Sequence, residues 1–393
     1  MAIAKKIEGF MEKSSWIRKM FEQGMALKRE HGAENVFDFS LGNPNVEPPV
    51  EFFETLERVV LERSPGSHVY MSNAGYPETR AAIAEFVSAE QGVALKDKHV
   101  IMSCGAGGAL NSVFRTLLDP GEEILVPAPF FVEYLFYADN HNASCKLVDT
   151  ADDFSLDIGK IEQSISEKTK IVLVNSPNNP TGKVYSAGEI EELGRLIDKK
   201  SKELGREIYL LSDEPYRKIV YDGVAVPSVL HACDNSIVVT SYSKDLSLAG
   251  ERLGFVAVNP ALSPLDATLN GLVFSTRTLG FVNAPALMQR VTAQLQGVSV
   301  DPGVYQRKRD MLCDMLGELG YQFVKPEGAF YLFPKTPIDD VEFVRELLAE
   351  RILVVPGSGF GRAGHFRISY CVADSTIERS RDGFARVAEK YLG

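Results

Sequence analysis

The chain has 393 residues, 45% of them hydrophobic and 24% charged, with a formal net charge of -11 at pH 7. That length exceeds what one compact core usually holds, the composition is that of an ordinary globular protein, and the acidic balance argues against nucleic acid as a partner. Its five cysteines are scattered with no CxxC pair, which argues against a disulfide framework or a metal site and suits a reducing cytoplasm.

No stretch approaches the roughly 18 apolar residues of a membrane span, and the N-terminal MAIAKKIEGF turns polar without the apolar core of a secretion signal. Ser14 and Ser15 are placed to cap a helix with Ile17, Met20, Phe21 and Leu27 near one face. Its mixed charges (Arg18, Lys19, Glu22) favour packing on a domain or a second subunit over a membrane surface. FDFSLGNPNVEPP then alternates as a strand and breaks at Gly42-Asn43-Pro44, either a plain exit into a loop or a close backbone approach to a ligand. Phe52, Phe53, Leu56, Val59 and Val60 mark a helix ending before Ser64-Pro65-Gly66, and Pro77 opens the helical PETRAAIAEFVSAEQ.

From residue 100 the rhythm is strand then helix. Apolar runs at 100–102, 124–126, 146–148, 171–174, 208–211 and 237–239 alternate with helical stretches from 107, from 131, near 157 and over 186–204. This α/β alternation predicts a mostly parallel sheet covered by helices on both faces, with a ligand site beyond the carboxyl ends of its strands. After Pro264 helices dominate, with one over 303–319. A hairpin-like PEGAFYLFP, a helix over 341–349, a strand over 352–355, the strand HFRISYC and a last helix follow. Domain boundaries are expected near 45 and 290: an N-terminal arm and part of a small domain over 1–45, a large domain over 46–290, and a smaller α/β domain over 291–393 shared by both chain ends.

The polar clusters sit at strand ends. Gly105-Ala106-Gly107-Gly108 opens a helix, where unpartnered N–H groups bind phosphate, yet it is neither GxGxxG nor GxxxxGK[ST], and helix–strand packing explains the glycines equally well. Phe130 and Phe131 are either core or a flat ring for stacking on a planar heterocycle. Asn175, Asn178 and Asn179 in NSPNNPTG offer amide groups on a turn stiffened by Pro177, Pro180 and Gly182. Asp213 ends the strand of LLSDEPYR, three residues before Tyr216; it either caps a helix or pairs with a cation such as a protonated ring nitrogen. Arg367 in HFRISYC either pairs with an acid or clamps a carboxylate through two parallel hydrogen bonds. In SIVVTSYSKDLSLAGERLGF, Lys244 stands where a core strand ends, beside Thr240, Ser241 and Ser243 and eight positions before Arg252. Hydroxyls and a guanidinium make an anion pocket, and a lysine facing a phosphate and able to lose its proton describes a Schiff-base lysine for pyridoxal phosphate. The alternative is a solvated turn lysine.

Taken in this order, NNPTG, SDEPY, SYSK with GERLG, and RISY resemble the class I/II aminotransferases, the fold type I pyridoxal-phosphate enzymes that include aspartate aminotransferase. The resemblance runs from about residue 36 to the C-terminus. It implies that Lys244 holds the cofactor as a Schiff base and later shuttles a proton, that Asp213 pairs with the pyridine nitrogen, that Asn179 and Tyr216 bond the ring oxygen, and that Phe131 stacks on the ring. The phosphate would fall to the N–H groups of Gly105 and Ala106 with Ser241 and Arg252. Arg367 would clamp the substrate's α-carboxylate, with Gly42 close by. Tyr70 matches a tyrosine that reaches the neighbouring subunit's phosphate, which implies a homodimer. Cationic Arg252 and Arg367 are expected to favour the unprotonated lysine.

The implied activity is ping-pong transfer of an amino group between an L-amino acid and a 2-oxo acid in the cytoplasm, without metal, nucleic acid or membrane. A C–S lyase working by β-elimination is the alternative on this scaffold. A ligand-sensing, non-enzymatic relative is another, but the short leading helix is expected to leave no room for its DNA-binding module. Gly107 departs from the pattern: some aspartate-using relatives carry a lysine there that reads the side-chain carboxylate. The resemblance therefore leaves acidic, neutral and aromatic substrates open, with Arg277 and Arg362 as candidates to supply a charge.

Overall fold

The computed structural model describes residues 3–13 and 16–393. The serines at 14 and 15, expected to cap the leading helix, lie outside the described residues. The strands in chain order are β1 (Phe37–Asp38), β2 (Val100–Ser103), β3 (Glu123–Ala128), β4 (Ser144–Asp149), β5 (Thr169–Asn175) and β6 (Tyr209–Asp213). They continue with β7 (Ser236–Ser241), β8 (Gly254–Val258), β9 (Tyr331–Leu332), β10 (Ile352–Leu353), β11 (Val355–Pro356) and β12 (Phe366–Ser369).

Seven strands form one sheet in the order β2-β8-β7-β6-β5-β3-β4. All its pairings are parallel except those of β8, which runs antiparallel to both neighbours. A parallel return needs a crossover of a dozen or more residues, usually a helix. The link from β7 to β8 carries only the short 3-10 turn Ala249–Glu251, so the chain doubles straight back.

Side-chain alternation along the strands separates two apolar layers. Val172 and Val174 face one layer, against Ile190, Leu193 and Ile197 of the helix Ala187–Leu204 and Ile83 and Val87 of the helix Pro77–Gln91. Ile171 and Leu173 face the other, against Leu110 and Val113 of the helix Gly105–Leu117 and Leu269 and Leu272 of the helix Leu265–Thr278. Helix ends follow their local signals. Ser186 and Glu189 close a reciprocal capping box at the start of Ala187–Leu204, and Gly205 ends that helix in the left-handed conformation.

A third apolar cluster joins the chain's two ends: Met20, Val36 and Phe39 pack with Phe330, Phe343, Phe366 and Phe384. β1 pairs in parallel with β10, and β11-β12-β9 form a small antiparallel sheet. Here the sequence runs are cut shorter than expected. The single strand expected over 352–355 is two, because Ile352 and Leu353 pair with β1 while Val355 and Pro356 pair with β12. PEGAFYLFP is not a hairpin in itself; only Tyr331 and Leu332 form a strand, and their partners are Ser369 and Ile368. The strand expected before Gly42 shrinks to the two residues of β1. Among the described residues no helix is long and apolar enough to cross a membrane, and no cluster of His, Cys, Asp and Glu is placed to hold a metal ion.

Candidate active site

The carboxyl ends of β5, β6 and β7 bring Asn175, Asp213 and Ser241 side by side, and the glycine-rich turn after β2, which runs in the same direction, closes in from beyond the antiparallel β8. Between these ends and the cluster of the chain termini lies a cavity of about 370 Å³. It is lined by Gly42, Phe131, Asn179, Asp213, Lys244 and Arg367, with Ala106, Tyr216, Ser241 and Arg252 also in its wall. Residues more than 300 positions apart in the chain thus converge, as the sheet rule requires.

Lys244 is no solvated turn lysine. Its Nζ donates to the carbonyl oxygen of Gly42 at 3.0 Å and lies 5.6 Å from the ring centre of Phe330. Burial pushes the amine down to about 8; Cys371 opposes this, and Arg252 and Arg367 push in the same direction with less weight. The cationic neighbours were the expected cause; the larger one is desolvation, which penalises the charged form of any amine.

Asp213 does not cap a helix. Its Oδ2 accepts a hydrogen bond from the Tyr134 hydroxyl at 2.6 Å, while Oδ1 is buried with no partner among the described residues. Burial pushes the carboxyl up to about 7, against the pull of the Tyr134 bond. A buried acceptor without a donor is costly, and the remedy with the best chemistry is a cationic N–H, which satisfies the oxygen and holds the carboxyl ionised. A protonated pyridine nitrogen fits that requirement. The Asn175 amide donates to the Asp213 carbonyl at 2.8 Å and fixes the strand end.

Arg367 is 2% exposed. Its Nη1 donates to Asn179 Oδ1 at 3.2 Å and its Nη2 to the Ser40 carbonyl, while Nε has no partner among the described residues. The guanidinium lies 4.8 Å from the ring centre of Tyr331 and 4.7 Å from that of Phe360. No carboxylate pairs with it among the described residues, so the acid-pairing alternative fails. The Tyr216 and Tyr331 hydroxyls meet at 2.9 Å. Tyr331 also explains Gly42: a Cβ there would sit 1.9 Å from the Tyr331 hydroxyl oxygen.

At the other end, the helix Gly105–Leu117 points its first N–H groups, which lack intrahelical acceptors, toward the cavity. Gly105 has φ +70, and a Cβ there would come within 2.7 Å of Arg252 Nη2, so glycine lets the guanidinium lie against the helix start. Gly254 allows β8 the same approach, since a Cβ there would meet the Gly105 carbonyl carbon at 2.8 Å. Of the paired phenylalanines, Phe130 belongs to the core and Phe131 to the cavity wall, edge-on to Tyr134. Tyr70 is not brought to this cavity. It is 88% exposed, on a patch with Met71, Phe281 and Asn283.

Among the polar side chains of the wall and its support, Glu133, Tyr134, Tyr137 and Tyr331 were not foreseen. Tyr134 reaches Asp213 across 79 residues of sequence, and Tyr331 reaches Tyr216 across 115, so no local pattern carries either contact. Glu133 and Tyr137 do carry a local signal, a spacing of four on one short helix just past the phenylalanine pair.

The family model described as aminotransferase class I and II matches residues 34–383. A probable aspartate aminotransferase of Methanocaldococcus jannaschii is 31% identical over 87% of this chain and 91% of its own. The aromatic-amino-acid aminotransferase 2 of Thermococcus litoralis is 30% identical over 99% of both chains. Among solved structures, an aminotransferase from Eubacterium rectale superposes with a TM-score of 0.97 at 38% identity, covering 100% of each chain.

Proposed function

The chain belongs to the class I and II aminotransferases, and from that membership we propose that it exchanges an amino group between an amino acid and a 2-oxo acid on pyridoxal phosphate held at Lys244. One observation carries this reading: Lys244 and Asp213 line the same cavity, the amine pushed down to about 8 and the acid left with an unsatisfied buried oxygen. Family members use pyridoxal phosphate, which supplies an aldehyde carbon for the amine and a protonated ring that takes up electrons when the substrate's Cα–H bond breaks.

The protein's own groups do the rest. With burial pushing it down to about 8, the Lys244 amine is unprotonated far more often near neutral pH than a free lysine, which makes it a nucleophile, and later a base that moves the Cα proton. Asp213, ionised by a cationic partner, keeps the ring nitrogen protonated. Asn179 and Tyr216 supply hydrogen bonds to the ring oxygen, and Phe131 supplies a flat apolar face. Gly105, Ala106, Ser241 and Arg252 form the anion pocket for the phosphate. Arg367, stacked and tethered by Asn179 and Ser40, is pre-aimed, and its Nε leaves a donor for the α-carboxylate. Tyr70 is exposed beside the exposed Val69, on a patch that also holds Met71 and Phe281, which fits a face buried against a second copy. The relatives' names lend no support to β-elimination.

The test is spectroscopic. Purified protein incubated with pyridoxal phosphate should gain a visible absorption band, and an amino acid alone should bleach it and leave pyridoxamine phosphate. Protein that stays colourless, or that releases ammonia and a 2-oxo acid without an acceptor, would refute the reading.

A further inference from the structure

Resting on the aminotransferase reading, we propose that Glu133 makes this site discriminate against amino acids whose side chain ends in a carboxylate and favour those whose side chain ends in a cationic nitrogen. Among the described residues the cations of the cavity wall are Lys244, Arg252 and Arg367. Lys244 donates to Gly42, Arg252 lies against Gly105 with Nη1 on the Ala249 carbonyl at 3.0 Å, and Arg367 is tethered by Asn179 and Ser40. In the reading above these three serve the cofactor and the α-carboxylate, which leaves no wall cation among the described residues of this chain for a second carboxylate.

The remaining wall is acidic or neutral. Gly107 contributes no side chain, and a Cβ there would stand 3.0 Å from the Tyr137 hydroxyl oxygen. Tyr137 follows Glu133 by four positions on the helix Glu133–Asp139, so both project to the same face, and both line the cavity. Burial pushes the Tyr137 phenol up to about 12, with Glu133 adding to the rise, which keeps the phenol neutral. Glu133 is partly buried and has no hydrogen bond or ion pair among the described residues. Burial raises its carboxyl, and no cation among the described residues offsets it. The arginines considered from sequence do not fill the gap. Arg362 is held by Asp149 and Asp152, and Arg277 is exposed and lies over Phe274. A second carboxylate beside Glu133 meets like charge, whereas an ammonium or guanidinium gives that oxygen the donor it lacks.

The experiment uses the holoenzyme and two unreactive probes, glutarate and 5-guanidinopentanoate, which are glutamate and arginine without their α-amines. Their dissociation constants are read by calorimetry and by the shift of the cofactor's absorption band. The guanidino acid should bind at least ~10-fold tighter than glutarate, and Glu133→Gln should shrink that ratio to within about 3-fold, as removal of one like charge and one ion pair requires. Glu133→Ala, checked for native melting behaviour, should do the same. Tighter glutarate than guanidino acid in the unmodified enzyme overturns the proposal, as does a ratio that both variants leave unchanged. Tight glutarate binding that Arg277→Ala abolishes overturns it too, by assigning a carboxylate reader elsewhere. A holoenzyme that keeps the predicted ratio but transfers no amino group would sink the aminotransferase reading and leave the role of Glu133 standing.

Discussion

In the proposed reading three side chains carry the chemistry, and each is governed by a different physical effect. For Lys244 it is desolvation. We expect Lys244→Ala to lose the visible band and all transamination while pyridoxal phosphate still binds reversibly; turnover near the original rate would remove the central assignment. For Asp213 the balance lies between burial, which raises the carboxyl to about 7, and the Tyr134 hydrogen bond, which lowers it. Tyr134→Phe deletes that bond, and a hydrogen bond to a charged group contributes about 1.5–3 kcal/mol. The variant should therefore lose ~10-fold or more in kcat with little change in KM, because the ring nitrogen is held less firmly and the α-carboxylate contact is untouched. The same raised value has a sign in stability. The ordinary aspartate value is about 3.9 and the folded value about 7, so the folded, cofactor-free protein binds the extra proton across that range. Its stability should fall as pH rises from about 4 to about 7 and level off above. Asp213→Asn should flatten that slope in melting curves; an unchanged slope would assign it to another group. For Arg367 it is geometry. Arg367→Ala should raise KM for amino acids of every side-chain type, and a loss confined to one type would show that it reads the side chain.

At the scale of elements, the site depends on close approaches that only glycine permits. Gly42 yields to the Tyr331 hydroxyl and Gly105, in the left-handed region, yields to Arg252. Gly42→Ala forces Tyr331 or the β1 exit loop to move, and overpacking of this kind costs about 1–3 kcal/mol. We expect a lower Tm and weaker holding of Lys244 by the Gly42 carbonyl, with part of the Tm restored when Tyr331→Phe removes the hydroxyl. Undiminished stability in Gly42→Ala alone would contradict the packing described here. Much of this level was legible in sequence. Ser186, Glu189 and Gly205 delimit a helix by local capping, and the strands of the large sheet fall within a residue or two of their apolar runs. The short strands near the C-terminus were less legible, since the run over 352–355 serves two partners and nothing within it marks the switch at Val354.

At the scale of the whole molecule, the 88% exposure of Tyr70 is what the proposed contact with a second copy would cover. We expect a solution mass of twice the 43.3 kDa chain. If Tyr70 bonds the partner's cofactor phosphate, Tyr70→Phe should weaken cofactor binding about 10-fold, the size of one charge-assisted hydrogen bond; an active monomer would defeat both expectations. What is local or chemical is written in the sequence: the α/β rhythm, the turn glycines, and the presence of an amine, an acid, two guanidiniums and a glycine-rich helix start in or beside the strands. Tertiary structure decided which of these meet and in what electrostatic setting. It joined Tyr134 to Asp213, seated Lys244 on the Gly42 carbonyl, and placed Glu133 in the cavity wall. The reason is that periodicity reports a residue's own face and burial, whereas desolvation and hydrogen bonding are properties of groups brought together from distant parts of the chain.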